Sequence, residues 1–310
     1  MIHDGGIEVK FLPLVVTLLI CLVPRISLAD ANEHSIIVDG RERAYLLFAP
    51  PRPQRLMLVL HGGGGNKERM AKTRIHESAM RQGYAVVYPD AVSSHWNDGR
   101  KDPNVPGWKE RPDDINFLRL LIAQIESDLK LTSGKVYVTG PSNGGMMTFR
   151  VGCELSDKLS AIAPVIASMP EDFVAQCRPV KRLPVLMING KDDPLVPYEG
   201  GQVTVFRKKR GLVVSAEKSL MFWSKHNHCS QDRETQQLAK KFPKDSASVE
   251  LTRYKGCDGA DVSMYAVNGG GHRWFGNSQG PERRWARWFM GETTKELDTN
   301  DAVLKFFNQY

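Results

Sequence analysis

Cysteine is scarce in this chain, five in 310 residues, which excludes a miniature fold held mainly by disulfides. An apolar run of the roughly 20 residues that a membrane-spanning helix requires is also missing. The strongest run, Phe11 to Val23, has thirteen residues and is bounded by Lys10 and Pro24. Internal repeats, long linkers and low-complexity tracts are absent, which excludes solenoids and collagen-like chains. Metal-binding spacing is lacking as well: His226-Asn227-His228-Cys229 has no second ligand group to complete a zinc site, so no metal is expected. The glycines from Gly62 to Gly65 precede Asn66 and Lys67 without the G-x-x-x-x-G-K-[ST] spacing of a phosphate loop. No compact nucleic-acid signature is present.

What is there describes a globular chain able to bury a sizeable core: 41% hydrophobic and 25% charged residues, with 27 Gly and 18 Pro. Forty-two Lys and Arg against 35 Asp and Glu give a net charge of +7, which favours anionic over cationic partners. Lys10, the run to Val23 and the small residues of Ser27-Leu28-Ala29 have the layout of a secretory signal peptide cut after Ala29. Residues 1–29 are thus expected to be a leader and 30–310 a single catalytic domain, secreted or periplasmic. Ile20 before Cys21 is too large for a lipoprotein signal, so no stable membrane anchor is expected. Loss of the leader removes Cys21 and leaves Cys153, Cys177, Cys229 and Cys257, which allow three pairings. Pairing by neighbourhood joins Cys153 to Cys177 and Cys229 to Cys257, closing loops of about 25 to 29 residues worth roughly 3 kcal/mol each; the other pairings stay open.

Continuous apolar stretches at Leu56–Leu60, Tyr84–Tyr88, Lys135–Thr139, Ala161–Ala167 and Val185–Asn189 read as strands buried on both faces. Arg43–Phe48, Val249–Tyr254 and Val262–Val267 read as further extended segments. Helical spacing covers Lys67–Arg81, Asp113–Leu131, Asn143–Leu155, Ala216–His226 and Ala302–Phe307. Strands alternating with helices imply a mostly parallel central sheet flanked by helices, an α/β fold. Between Asp90 and Pro112 the chain is irregular, contains Trp96 and Trp108, and is long enough to suggest part of a site.

The chemistry is concentrated where a buried strand runs into Gly140-Pro141-Ser142-Asn143-Gly144 and a helix follows at once. This is G-x-S-x-G in the strand–turn–helix setting that exposes a nucleophilic hydroxyl. Flanking glycines are required because larger side chains would collide with the neighbouring strand and helix. A serine needs a base, and the base needs a group to orient it. After the apolar strand at Val185–Asn189 comes Gly190-Lys191-Asp192-Asp193-Pro194, which supplies an acid; Asp193 is preferred to Asp192 by its G-x-x-D spacing. After Val262–Val267, Gly269-Gly270-Gly271-His272 supplies a base, giving the order Ser142, Asp193, His272. Backbone N–H groups of Asn143 and of the His61-Gly62-Gly63-Gly64-Gly65 loop, with Gly63 preferred, would form the oxyanion hole. Trp96, Trp108 and Trp274 are candidates for the substrate-pocket wall.

Taken together, His61-Gly-Gly-Gly-Gly-Asn66, Gly140-Pro-Ser-Asn-Gly-Gly-Met-Met147, Asp193-Pro-Leu-Val-Pro-Tyr-Glu-Gly-Gly201 and Gly269-Gly-Gly-His-Arg-Trp274 resemble one family. They are similar to the secreted α/β-hydrolase esterases that include polyhydroxybutyrate depolymerases and feruloyl esterases (LpqC-like). The resemblance spans nearly all of the chain beyond the leader, and Cys229 and Cys257 fall where that family commonly carries a cysteine pair. It implies a cofactor-free serine hydrolase acting on esters of a polymer or its oligomers. Arg273, Phe275 and Lys191 depart from the pattern. Arg273 and Lys191 add cations near the site, and Arg207-Lys208-Lys209-Arg210 with Arg283, Arg284 and Arg287 add more. The alternative they raise is hydrolysis of an anionic polymer such as poly(aspartic acid), an amide, with Arg273 as a substrate ligand.

Overall fold

The computed structural model describes residues 1, 32–105, 109–131, 134–276 and 284–310. Residues 2–29 of the expected leader, Trp108 and Arg283 lie outside the described residues.

Twelve strands are present among the described residues: β1 (Asn32–Val38), β2 (Arg41–Phe48), β3 (Arg55–Val59), β4 (Tyr84–Pro89), β5 (Val136–Pro141), β6 (Ala161–Val165), β7 (Val185–Gly190), β8 (Gly201–Val205), β9 (Lys208–Val213), β10 (Arg233–Gln237), β11 (Ser248–Tyr254) and β12 (Val262–Asn268). Ten form one sheet in the order β1-β2-β4-β3-β5-β6-β7-β12-β11-β10, while β8 and β9 form a separate hairpin. From β4 to β12 every neighbouring pair is parallel. Antiparallel strands extend the sheet at both ends.

The centre is parallel because helices cover both faces. On one side α3 (Asp114–Asp128), α4 (Asn143–Glu154) and α6 (Ala216–His226) contribute Phe117, Leu121, Met146 and Trp223. The opposite side is covered by α1 (Lys67–Ala71), α2 (Ile75–Arg81) and α8 (Thr299–Phe307), through Met70, Ile75, Val303 and Phe307. Two short helices, α5 (Glu171–Val174) and α7 (Arg284–Met290), complete the set. Strand β3 divides its side chains between the layers, Leu56 and Leu58 to one, Met57 and Val59 to the other. Two buried faces turn an alternating pattern into an uninterrupted apolar run.

The segment 67–81, expected as one helix, is two. Arg74 takes a left-handed conformation (φ 57°) between α1 and α2, and the Thr73 hydroxyl donates to the Met70 carbonyl at 2.8 Å to close the first. Disulfides join Cys153 to Cys177 and Cys229 to Cys257, the pairing by neighbourhood. The first ties the end of α4 to the chain just after α5. The second ties the chain after α6 to the β11–β12 connection. Among the described residues no helix is long and apolar enough to cross a membrane.

Candidate active site

Strand β5 delivers Ser142 to the carboxyl edge of the sheet. The turn is sharp: Ser142 has φ 57° and ψ −123°, and its N–H donates to the Val165 carbonyl at 2.9 Å. Its neighbours must be glycine. A Cβ at Gly140 would lie 2.5 Å from the Leu60 carbonyl oxygen, and one at Gly144 2.5 Å from that of His61. The elbow is pressed against the end of β3, so the glycine-rich loop following β3 lies beside the serine.

Asp193 follows β7 and His272 follows β12, adjacent parallel strands whose ends carry both groups to one point. His272 Nδ1 and Asp193 Oδ2 are 2.7 Å apart, and both side chains are buried. Asp193 Oδ1 accepts from the N–H groups of Leu195 and Val196 at 2.8 and 2.9 Å. An ionised carboxylate only accepts, so Nδ1 carries the proton and Nε2 is left as the basic nitrogen. The His272 backbone N–H is bound to the Met290 carbonyl at 2.6 Å, which anchors the main chain that carries the ring. Asp192 is exposed, so of the two acids weighed Asp193 is the one placed on the histidine. Ser142 and His272 line the same cavity, about 520 Å³ in volume. The hydroxyl-to-Nε2 hydrogen bond is not formed here; such contacts commonly tighten only with substrate bound.

In the loop 61–66, the Gly64 N–H is bound to the Ser94 carbonyl and the Gly65 N–H to the Gly62 carbonyl, each at 2.9 Å. The N–H groups of Gly62 and Gly63 make no such backbone bond among the described residues, and the Asn143 N–H lies in the first turn of α4, where helix donors have no intrahelical partner. His61 sets the loop. Its Nε2 accepts from the Ala91 N–H at 3.0 Å, so Nδ1 is the protonated nitrogen and donates to the Gly62 carbonyl at 2.8 Å. Burial lowers the pKa of His61, which holds the neutral ring this arrangement needs.

Trp96 is not on the cavity wall, contrary to expectation. It is buried, its indole N–H donates to the His61 carbonyl at 2.9 Å, and its backbone exchanges hydrogen bonds with the Asn143 amide at 2.8 and 3.0 Å. Asn143 also donates to Asp98 Oδ2 at 2.6 Å, and Asp98 forms a buried pair with Arg100, again at 2.6 Å. Arg100 Nη1 reaches the Arg210 carbonyl of the β8–β9 hairpin at 2.6 Å. The stretch from Trp96 to Arg100 therefore acts as a brace between the elbow and the hairpin.

Arg273 does not line the cavity either. Its Nε donates to the Gly291 carbonyl at 3.0 Å, which holds the guanidinium against the chain after α7. Lys191 pairs with Glu250 at 2.8 Å, and Arg287 with Glu292 at 2.7 Å. Trp274 does line the cavity, its indole N–H held by Asn300 at 2.8 Å. The cations on the wall are Arg69, Arg100 and Arg210. Sequence reasoning missed the wall made by Phe206 and Phe289, for which the alternation in Gln202-Val203-Thr204-Val205 between glycines was the available signal.

The profile of the dienelactone hydrolase family matches residues 43–210, more than half of the chain. The chain belongs to the dienelactone hydrolase family. It is therefore a hydrolase, and its fold is that of the α/β-hydrolases. The family match includes Ser142 and Asp193 and ends before His272. A putative esterase, NocK, from Nocardia uniformis subsp. tsuyamanensis is 28% identical, with 92% of this chain and 85% of that protein aligned. Feruloyl esterase B from Piromyces equi is 30% identical over 63% of this chain, but only 36% of its own length is covered. Among solved structures, an acetyl xylan esterase from Aspergillus awamori superposes with a TM-score of 0.54 over 78% of this chain and 94% of that one, at 12% identity; that likeness is one of fold.

Proposed function

We propose that this chain is a secreted serine esterase. Ser142 attacks the ester carbonyl, His272 Nε2 takes its proton and returns it to the leaving alcohol, and Asp193 holds the imidazole in the required tautomer. The tetrahedral oxyanion is bound by the N–H groups of Asn143 and Gly63, with Gly62 beside it. A water then repeats the sequence on the acyl-enzyme. The observation that carries this reading is the buried His272–Asp193 hydrogen bond at 2.7 Å opening on the same cavity as a serine held at φ 57°. The substrate is a carboxylic ester of a polymer or its oligomers, feruloyl type or polyhydroxybutyrate type; relatives named esterase and feruloyl esterase support the ester. Two disulfides fit export to an oxidising compartment.

An active-site fluorophosphonate tests this directly. It should label Ser142, and Ser142→Ala should lose both labelling and turnover while keeping its melting temperature; a Ser142→Ala protein that still hydrolyses esters would falsify the assignment.

A second reading, cleavage of an anionic polymer such as a poly(aspartic acid) amide, has one observation in its favour. Arg69 and Arg210 line the cavity beside Arg100, whose charge Asp98 already meets, and no carboxylate lines it among the described residues. Hydrolysis of a carboxylate-bearing substrate that collapses on adding salt, with a neutral analogue unaffected, would favour it over the first.

A further inference from the structure

The mouth of the Ser142 cavity carries an aromatic wall that bond cleavage itself does not need. Phe206 and Phe289 stack with ring centroids 4.3 Å apart and planes 12° from parallel. Both line the cavity, with Val203, Val205 and Met290 beside them. Phe289 comes from α7, one residue before the carbonyl that holds the His272 backbone. Phe206 comes from the turn of the β8–β9 hairpin and is 71% exposed despite the stack.

That turn is an unusual place for phenylalanine. Val205 pairs with Lys208, so Phe206 and Arg207 are a two-residue loop, and both have positive φ, 49° and 62°. Such loops favour Asn-Gly, and a bulky aromatic with positive φ is strained. The exposed ring does little for folding in return. Strain retained at the rim of a site points to a contact made with a ligand. The hairpin that carries the ring is braced: Arg100 Nη1 donates to the Arg210 carbonyl at 2.6 Å, the Thr204 N–H to the Leu195 carbonyl at 3.1 Å, and Gln202 Nε2 to the Gly211 carbonyl at 2.9 Å.

We propose that Phe206, with Phe289, is a specificity-determining wall that takes a planar aromatic ring carried by the ester, in its acyl or its alcohol half. The assignment rests on the esterase reading and deepens it. Aromatic rings packed face to face or edge to face interact beyond their buried area. A saturated ring of equal size fills the same space without that gain, so the wall distinguishes aryl from cyclohexyl.

The test compares wild type with Phe206→Leu, which keeps an apolar side chain and removes the ring. Each is assayed for kcat/KM on two matched pairs: methyl 3-phenylpropanoate against methyl 3-cyclohexylpropanoate, and benzyl acetate against cyclohexylmethyl acetate. Wild type should prefer the aryl member of one pair, and the pair concerned identifies the half that carries the ring. Phe206→Leu should lose roughly 2- to 12-fold of that preference at an unchanged melting temperature. A preference that survives the substitution, or aryl and cyclohexyl esters falling together, overturns the proposal. Calorimetric binding of phenyl and cyclohexyl methyl ketones to Ser142→Ala, with and without Phe206→Leu, separates the two levels. Ring preference in binding that depends on Phe206, with no ester turned over by wild type, sinks only the esterase reading. Ester turnover with no such preference sinks only the wall.

Discussion

Asn143 shows how much a single residue beside the nucleophile has to do. Its backbone N–H is one of the two donors proposed for the oxyanion, a role that requires a fixed peptide, and its side-chain amide is fully engaged by the Trp96 backbone and Asp98. Asp98 in turn neutralises a buried arginine. The backbone role could be expected from the sequence, as the N–H next to the serine; the side-chain network that holds the peptide could not. Ser142, Asp193 and His272 were legible because each sits at a strand end marked by glycines, and glycine spacing is a property of the chain. The direction of a side chain is not, which is why Trp96 turned out to be buried and Arg273 to be bound to the Gly291 carbonyl rather than lining the cavity. The hydrogen-bond geometry at His272 makes a sharp prediction. Asp193→Asn keeps the shape but offers Nδ1 an N–H donor, so the imidazole adopts the wrong tautomer. We expect kcat to fall by about 10⁴-fold with the fold intact, read by steady-state kinetics beside circular dichroism; a drop below tenfold would remove Asp193 from the role.

Among the elements, legibility followed burial. Strands β3 to β7 and β12 were visible because each is covered on both faces and reads as an apolar run. Strand β10, Arg-Glu-Thr-Gln-Gln, is exposed throughout and has no such signature; it is a strand because β11 offers it an edge. The β8–β9 hairpin went unseen for a related reason: its turn is Phe-Arg rather than Asn-Gly. Cysteine neighbourhood, by contrast, anticipated both bridges. The Cys153–Cys177 bridge clamps the far end of α4, the helix whose first turn carries Asn143 and follows Ser142. Replacing both cysteines by serine should cost about 3 kcal/mol of stability, measured by urea unfolding. Because ten of the twelve residues of α4 are buried in the core, the local geometry at Ser142 should survive, and kcat at 25 °C should change less than twofold. A large fall in kcat without a fall in stability would mean the bridge positions the elbow rather than stabilising the fold.

For the molecule as a whole, the carboxyl ends of the parallel strands β5, β7 and β12 bring Ser142, Asp193 and His272 to one edge of the sheet, and the sheet order that achieves this was not legible. Strand alternation implies a parallel sheet, but which strand neighbours which depends on contacts far apart in the chain. The same long-range packing buries titratable groups, and this has a consequence for pH. His61 and His76 both have pKa values lowered by burial; the first holds the loop after β3, the second stacks on Phe48 and meets the Tyr88 hydroxyl at 2.9 Å. When a histidine is depressed in the folded state, the unfolded chain binds more protons between the folded value and its ordinary value of about 6.5. Stability therefore rises with pH through that window and is level above it. Acidification below about pH 6.5 should lower the melting temperature. His61→Gln should flatten the slope, since its amide titrates in neither state, at the cost of some stability at pH 8. Scanning calorimetry of both proteins between pH 5 and 8 checks this. If their slopes coincide, burial of His61 is not what makes the loop after β3 sensitive to acid.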